Sequence, residues 1–540
     1  MEIAPANYCI ANAQIVDGSG GRPFVGDVEI TGDVISGIAP AGRGKGEQRF
    51  DVNGMYLSPG FIDIHSHADY TLLVDGSAES ALLQGVTSVV TGNCGHGVAP
   101  CPSCARDMMA TNIFGWRRDT EIDESWESFG DYTDCLRRRG VGVNVFPLVA
   151  HGALRIALSG FEQRALTASE KASMRSMVCE ALQAGAVGFS TGLEYAPGIA
   201  ADFDELATAS EPLGDFHALY ATHCRNRTDA MAEAAIESAE IAKRAGSRLQ
   251  LSHFLRRPYG PRECDKRAWD ALSRFESDGL VVRSDVFPFD YGPTPLAVLL
   301  PLHVRTGSRL EIAGRLEVPQ IKARILNELS GMFGRAVEAG LAESMYVACD
   351  GTRGGELVGR TLGDIARDQD ISVAEAALWL LSRAQEDFYS VMIVERWVEE
   401  ADLRAALRDP RYFIMSDGVV ASQNGRFHSS GFSLSDWGYV PAYLGRYVRD
   451  FGLVSLEDAV AKMTRAPADQ IGLSDRGRIA EGQKADLVLF DYDALETSVA
   501  PDNLTCTPRG ISQVFVNGVW AVKDGTITGA RPGTVGIARY

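Results

Sequence analysis

The chain is short of the features that tie a protein to a membrane or to nucleic acid. None of its apolar stretches reaches the roughly 18 residues that span a bilayer. Its N-terminus lacks the basic start and apolar centre of a secretory signal, so the expected location is cytoplasmic. Positive charge is scarce as well: 52 Lys and Arg stand against 71 Asp and Glu, a net charge of -19. That balance repels phosphate backbones and anionic lipid, and no basic patch offsets it, so neither nucleic acid nor a membrane is expected as a partner. The ten cysteines show no disulfide-framework spacing, which points to reduced thiols. Cys101-Pro-Ser-Cys104 has zinc-ribbon spacing but no second pair to complete it. Histidines number only nine in 540 residues, so where they fall carries information.

What is present is a long alternation of two textures. Residues 1–58 read as short period-two strands broken by Gly and Asp, and the same texture returns from 478 to 540. Chain ends commonly meet in space, so the two ends are expected to form one small β-sandwich domain. Between them, 59–477, apolar strand-like runs fall at 61–64, 86–91, 143–149, 186–190, 218–222, 248–252, 281–285 and 412–415, many separated by helix-period stretches. Eight such units predict an α/β fold, a closed (β/α)8 barrel of TIM type. The gap before the last run is about 125 residues, so an insertion over the barrel mouth is expected at about 290–345.

The ends of these runs carry the chemistry. His65 and His67 close the run Gly60-Phe-Ile-Asp-Ile-His-Ser-His, and alternate residues of a strand point to one side, so both imidazoles converge as a metal site requires. Cys94, His223, His253 and Asp417 each follow a further run, and His151 follows Val143–Ala150. In a barrel these ends share one face. Imidazole and thiolate suit zinc, and three protein ligands leave a position for a water made acidic by the ion. Cys94, His223 and His253 make the expected tight Zn2+ site, with a second, weaker site at His65 and His67 sharing Cys94. Asp417 is placed to take the proton of an attacking water and return it to a departing nitrogen.

These segments resemble the amidohydrolase superfamily, and within it the N-acyl-D-amino-acid deacylases (D-aminoacylases). The likeness rests on Pro59-Gly-Phe-Ile-Asp-Ile-His-Ser-His, Gly85-Val-Thr-Ser-Val-Val-Thr-Gly-Asn-Cys-Gly, His151-Gly-Ala-Leu-Arg155, Gly188-Phe-Ser-Thr-Gly-Leu-Glu-Tyr195, Thr222-His-Cys-Arg-Asn226, Leu251-Ser-His253 and Ser416-Asp-Gly. Arg476-Gly-Arg-Ile-Ala-Glu-Gly-Gln-Lys-Ala-Asp also resembles the superfamily's ending, so the likeness spans nearly the whole chain. It implies a barrel with a small β-domain, zinc at Cys94, His223 and His253, a weaker site at His65 and His67, and Asp417 as acid/base. The implied reaction is hydrolysis of an N-acyl-D-amino acid to a carboxylate and a free D-amino acid.

The departures concern substrate binding. Where many members have a Lys two positions after the second metal histidine, this chain has Leu255, with Arg256 and Arg257 next. The family's Asp-Val-Tyr-Pro-Tyr reads Asp285-Val-Phe287-Pro-Phe289, without two hydroxyls. His151, Tyr195, Arg225, Arg256 and His428 are the candidate substrate contacts. The alternatives are hydrolysis of a cyclic amide, as in hydantoinases and dihydroorotases, and a non-catalytic barrel serving in assembly. The missing lysine at the end of the fourth strand, Gly188-Phe-Ser-Thr, argues against the first. The expected partner is a small N-acyl molecule, with homo-oligomer formation left open.

Overall fold

The structure is a computed structural model, and it describes residues 7–109, 126–258, 260–301, 303–305, 309–338, 340–352, 355–423, 425 and 432–537. Its centre is an eight-stranded parallel sheet. The strands are β1 (Phe61–Asp63), β2 (Val86–Thr91), β3 (Asn144–Ala150), β4 (Gly188–Gly192), β5 (Leu219–His223), β6 (Arg248–Leu251), β7 (Val282–Val286) and β8 (Tyr412–Ile414). Each pairs with the next in chain order. The ring closes where β1 meets β8: Asp417 N donates to His65 O at 3.0 Å and His67 N to Gly418 O at 2.7 Å. Parallel strands are covered on both faces, and every residue of β2 and β3 is accordingly buried.

Helices wrap the ring, and their ends are written in the sequence. Met231–Ala245 buries an alanine-rich stripe and stops at Gly246, whose left-handed backbone returns its N–H to Ala242 O and Lys243 O. Capping boxes start Phe129–Arg139 at Ser128 and Ala168–Gln183 at Thr167.

Strands from both ends of the chain join in one nine-stranded sheet, in which Leu487–Phe490 runs antiparallel to Tyr56–Pro59. The stretch between β7 and β8 forms a separate three-stranded antiparallel sheet of Tyr291–Pro295, Met345–Cys349 and Met392–Arg396. It encloses a core of its own, with Leu296, Val347, Leu378 and Ile393. The expected insertion end at about 345 is therefore too early. Helices Leu362–Gln369 and Val373–Arg383 pack into that same core, and the sheet is complete only with its strand ending at Arg396.

Candidate metal centre and active site

Six of the residues singled out in the sequence meet at the carboxyl end of the ring. Cys94 follows β2 in a tight turn whose neighbour is Gly192 at the end of β4; a Cβ on Gly192 would overlap the Cys94 carbonyl. Gly95, with φ +67°, holds the other half of that backbone contact. Cys94 Sγ lies 3.3 Å from His65 Nε2 and 3.4 Å from His253 Nε2. Asp417 Oδ1 lies 3.1 Å from His67 Nε2 and 3.4 Å from His65 Nε2. Among the described residues two donor triads result: His65, Cys94 and His253, and His65, His67 and Asp417, each with its ligand atoms within 4.8 Å of one another.

His223 stands beside the first triad, its ring centroid 4.7 Å from that of His253. Its Nε2 lies 2.8 Å from Glu194 Oε2 and its Nδ1 3.2 Å from the Tyr195 hydroxyl. Three of these residues hold left-handed backbone although none is glycine: Cys94 (φ 53°), His253 (φ 34°) and Asp417 (φ 47°). Such conformations cost on the order of 1–3 kcal/mol each and persist where the surroundings fix them. Here the fixing contacts are visible. Asp63 accepts from Ser416 N at 3.0 Å and from Ser416 Oγ at 2.6 Å, which ties the Asp417 turn to β1. Asp285 accepts from His253 N at 2.6 Å.

The electrostatics of the cluster suit a cation. Burial pushes the Cys94 thiol up, but the His65 and His253 imidazoles beside it win and hold it well below the usual thiol range. Burial likewise opposes ionisation of Asp417, yet His253, His67 and His65 keep it a carboxylate. His67, hydrogen-bonded to Asp417, is raised to about 9 against its own burial. His253 is lowered to about 4, by burial and by the charge of Arg227. Two ligands of a tetrahedral zinc at about 2.0–2.3 Å stand about 3.5 Å apart. The 3.3 and 3.4 Å separations at Cys94 fit that requirement, and a depressed thiol is the form a metal takes.

Beside the cluster lies a cavity of about 320 Å³, within the range for small-molecule sites. Tyr195, Arg225, His253 and Asp417 line it, as do Phe287 and Trp397, whose ring centroids lie 4.4 Å apart with the rings tilted by 38°. Two expected substrate contacts lie elsewhere. His151 is fully buried at the start of helix His151–Ser159, its Nε2 2.8 Å from Glu205 Oε1, and Arg155 Nη1 completes the triplet at 2.9 Å from both Glu205 oxygens. Arg256 turns away from the cavity and donates to Asp402 Oδ2 at 2.6 Å, because the segment after β6 is irregular and the next residue, Arg257, takes the cavity face. His428 lies outside the described residues. Sequence reasoning missed Glu194 and Arg227, both on the cavity wall. The only signal was their place: Glu194 shortly after β4, and Arg227 two residues past Arg225.

Residues 426–521 match the model of the amidohydrolase family. N-acyl-D-aspartate deacylase of Alcaligenes xylosoxydans xylosoxydans is 31% identical over 98% of this chain and 95% of its own. Two solved structures superpose over nearly full length. N-acyl-D-glutamate deacylase from Bordetella bronchiseptica, complexed with zinc and a phosphonate that mimics the reaction's tetrahedral intermediate, has a TM-score of 0.80 at 27% identity, covering 99% of this chain and 100% of that one. A D-aminoacylase with a binuclear metal centre, described by one-metal activation and second-metal attenuation, has 0.79 at 28%, covering 98% and 99%. A likeness at this identity over nearly both whole chains, on the same barrel, means that the chain belongs to the N-acyl-D-amino-acid deacylase family of the amidohydrolase superfamily.

Proposed function

We propose that the protein is a zinc-dependent hydrolase that cleaves the linear amide of N-acyl-D-amino acids. The observation that carries this reading is the convergence of Cys94, His253, His65, His67 and Asp417 at one barrel mouth, with His253 and Asp417 on the wall of a cavity of small-molecule size. Cys94, His223 and His253 would hold the tight zinc, and His65 and His67 a weaker second ion sharing Cys94. The donor chemistry of two imidazoles and a depressed thiol supports that assignment. A zinc ion bound there would supply polarisation of the amide carbonyl and a lower pKa for the attacking water.

The chain's own groups do the rest. Asp417, ionised and facing the cavity, takes the proton from the water as it attacks the carbonyl carbon. It passes that proton to the nitrogen as the C–N bond breaks, releasing a carboxylate and a free amine. Tyr195 stays protonated, since burial and the nearby thiolate push its hydroxyl well above the ordinary range, and its hydroxyl lies 3.2 Å from His223 Nδ1 at the cavity wall. Phe287, Trp397 and Ile199 give the cavity an apolar side, which suits an apolar acyl group or side chain.

The test is metal analysis with a panel of N-acetyl amino acids in matched D and L forms. The expected outcome is bound zinc and turnover of D substrates only. Zinc-loaded protein that cleaves L forms equally, or no amide at all, refutes the reading.

A further inference from the structure

Asp417 sits on a turn that two buried carboxylates hold from opposite sides. Asp63, at the end of β1, takes Ser416 just before it. Asp436, in the helix Ser435–Pro441, takes the backbone just after it: its Oδ1 accepts from Val419 N at 2.9 Å. The other oxygen, Oδ2, accepts from Phe432 N at 2.7 Å and from Ser433 N at 3.0 Å. One side chain, on a residue 3% exposed, therefore joins the point where the chain leaves the Asp417 turn to the point where it comes back.

Asp436 is itself anchored to the barrel. Gln84, buried just before β2, donates from Nε2 to Asp436 O at 2.9 Å and to Ser435 O at 3.3 Å, and its Oε1 accepts from Val440 N at 3.4 Å. Room for the carboxylate depends on Gly418, where a Cβ would stand 2.6 Å from Asp436 Oδ1. Gly418 O in turn accepts from His67 N at 2.7 Å. The Phe432 ring lies beside the His67 ring, with centroids 6.1 Å apart. Both partners of the 3.1 Å His67–Asp417 contact thus rest on segments that Asp436 fixes. Burial pushes the Asp436 carboxyl up to about 7 against its three N–H donors, with a smaller push from Asp417, so at pH 8.5 it is ionised and accepts all three bonds.

Resting on the hydrolase reading above, we propose that Asp436 is a positioning residue for Asp417: acting through the backbone on either side, it holds the acid/base carboxylate and its His67 partner in place at the reacting centre. A looser turn lets the carboxylate drift, and a misplacement of about 1 Å costs on the order of 10²-fold in rate. The task needs two accepting oxygens. An asparagine has one oxygen and one NH2, so it can serve Val419 or the Phe432 and Ser433 pair but sets donor against donor at the other.

The experiment compares zinc-loaded wild type, Asp436→Asn and Gly418→Ala at pH 8.5, by kinetics with N-acetyl-D-leucine and by amide hydrogen exchange. Both variants should lose about 10- to 100-fold in kcat, with KM and zinc content close to wild type. In an Asp436→Ala background Gly418→Ala should cost little more, because the oxygen it displaces is gone. The amides of Val419, Phe432 and Ser433 should exchange faster in Asp436→Asn, and those of β3 at the wild-type rate. Wild-type kcat in Asp436→Asn, or a loss of kcat shared with zinc or with exchange throughout the barrel, overturns the assignment. If wild type itself hydrolyses no N-acyl-D-amino acid, the hydrolase reading fails by itself. Exchange at the three amides then still decides whether Asp436 holds the turn, and exchange unchanged by Asp436→Asn refutes it.

Discussion

One oxygen of Asp285 accepts from His65 Nδ1 at 3.3 Å while its other takes Gln250 Nε2 at 2.8 Å, so the end of β7 orients a ring at the end of β1. The carboxylate fixes the proton of His65 on Nδ1 and leaves Nε2 as a lone pair toward Cys94 Sγ. Asp285→Asn keeps the shape of the side chain but offers its amide to the ring with the wrong sign. Zinc affinity is expected to fall about 10- to 100-fold, the usual cost of losing such a supporting carboxylate. A chelator competition titration measures it; affinity equal to wild type would show that Asp285 does not set the tautomer.

Asp417 touches the metal donors but its proposed task is proton transfer, and the two roles separate on substitution. Asp417→Asn retains the hydrogen-bonding shape beside His67 and removes the base. Turnover of an N-acetyl-D-amino acid should drop by about 10²–10⁴-fold, with zinc content close to wild type. Zinc lost in step with activity would instead make Asp417 a ligand first.

The barrel was legible because parallel strands buried on both faces read as unbroken apolar runs, and their ends locate the chemistry. The same signal that marks His223 also marks His151, and it does not separate a residue that meets the cluster from one that does not. What separates them is Glu205, 54 positions beyond His151, which a linear reading does not bring near it. The extent of the insertion was illegible for a related reason. Helix Val373–Arg383 has the amphipathic period of a barrel helix, and only its packing against Leu296 and Ile393 assigns it to the smaller sheet. Arg256 and Arg257 could not be told apart because period-two logic holds only while a strand continues, and β6 ends at Leu251.

The buried triplet of His151, Arg155 and Glu205 is predicted to hold the fold and leave the zinc alone. Removing one partner strands the others without water. Glu205→Ala leaves a buried guanidinium uncompensated and should lower stability by about 3–5 kcal/mol in urea unfolding. Zinc bound per folded chain should not change. A loss below 1 kcal/mol would mean that Arg155 finds another partner, and a loss of zinc would link the triplet to the metal site.

Lys462 gives the stability a pH dependence of defined sign. It is 7% exposed and donates to Leu407 O at 2.6 Å and Asp409 O at 2.9 Å, the carbonyls that end helix Glu400–Arg408. Burial pushes it down to about 7, against the pull of Asp409 and Asp458. In the unfolded chain a lysine titrates near 10.4. Between those values the unfolded state binds more protons than the fold, so stability rises with pH across that window, by up to about 1.4 kcal/mol per pH unit. Below about 7 both states are charged and the cost of burying the ammonium is fully present. Urea unfolding at pH 7, 8 and 9 should show this rise in wild type and a flatter profile in Lys462→Met. Because other groups titrate in both proteins, the difference between the two profiles is the measurement. Parallel profiles would mean that Lys462 stays charged in the fold, held by the helix-end carbonyls strongly enough to outweigh its burial.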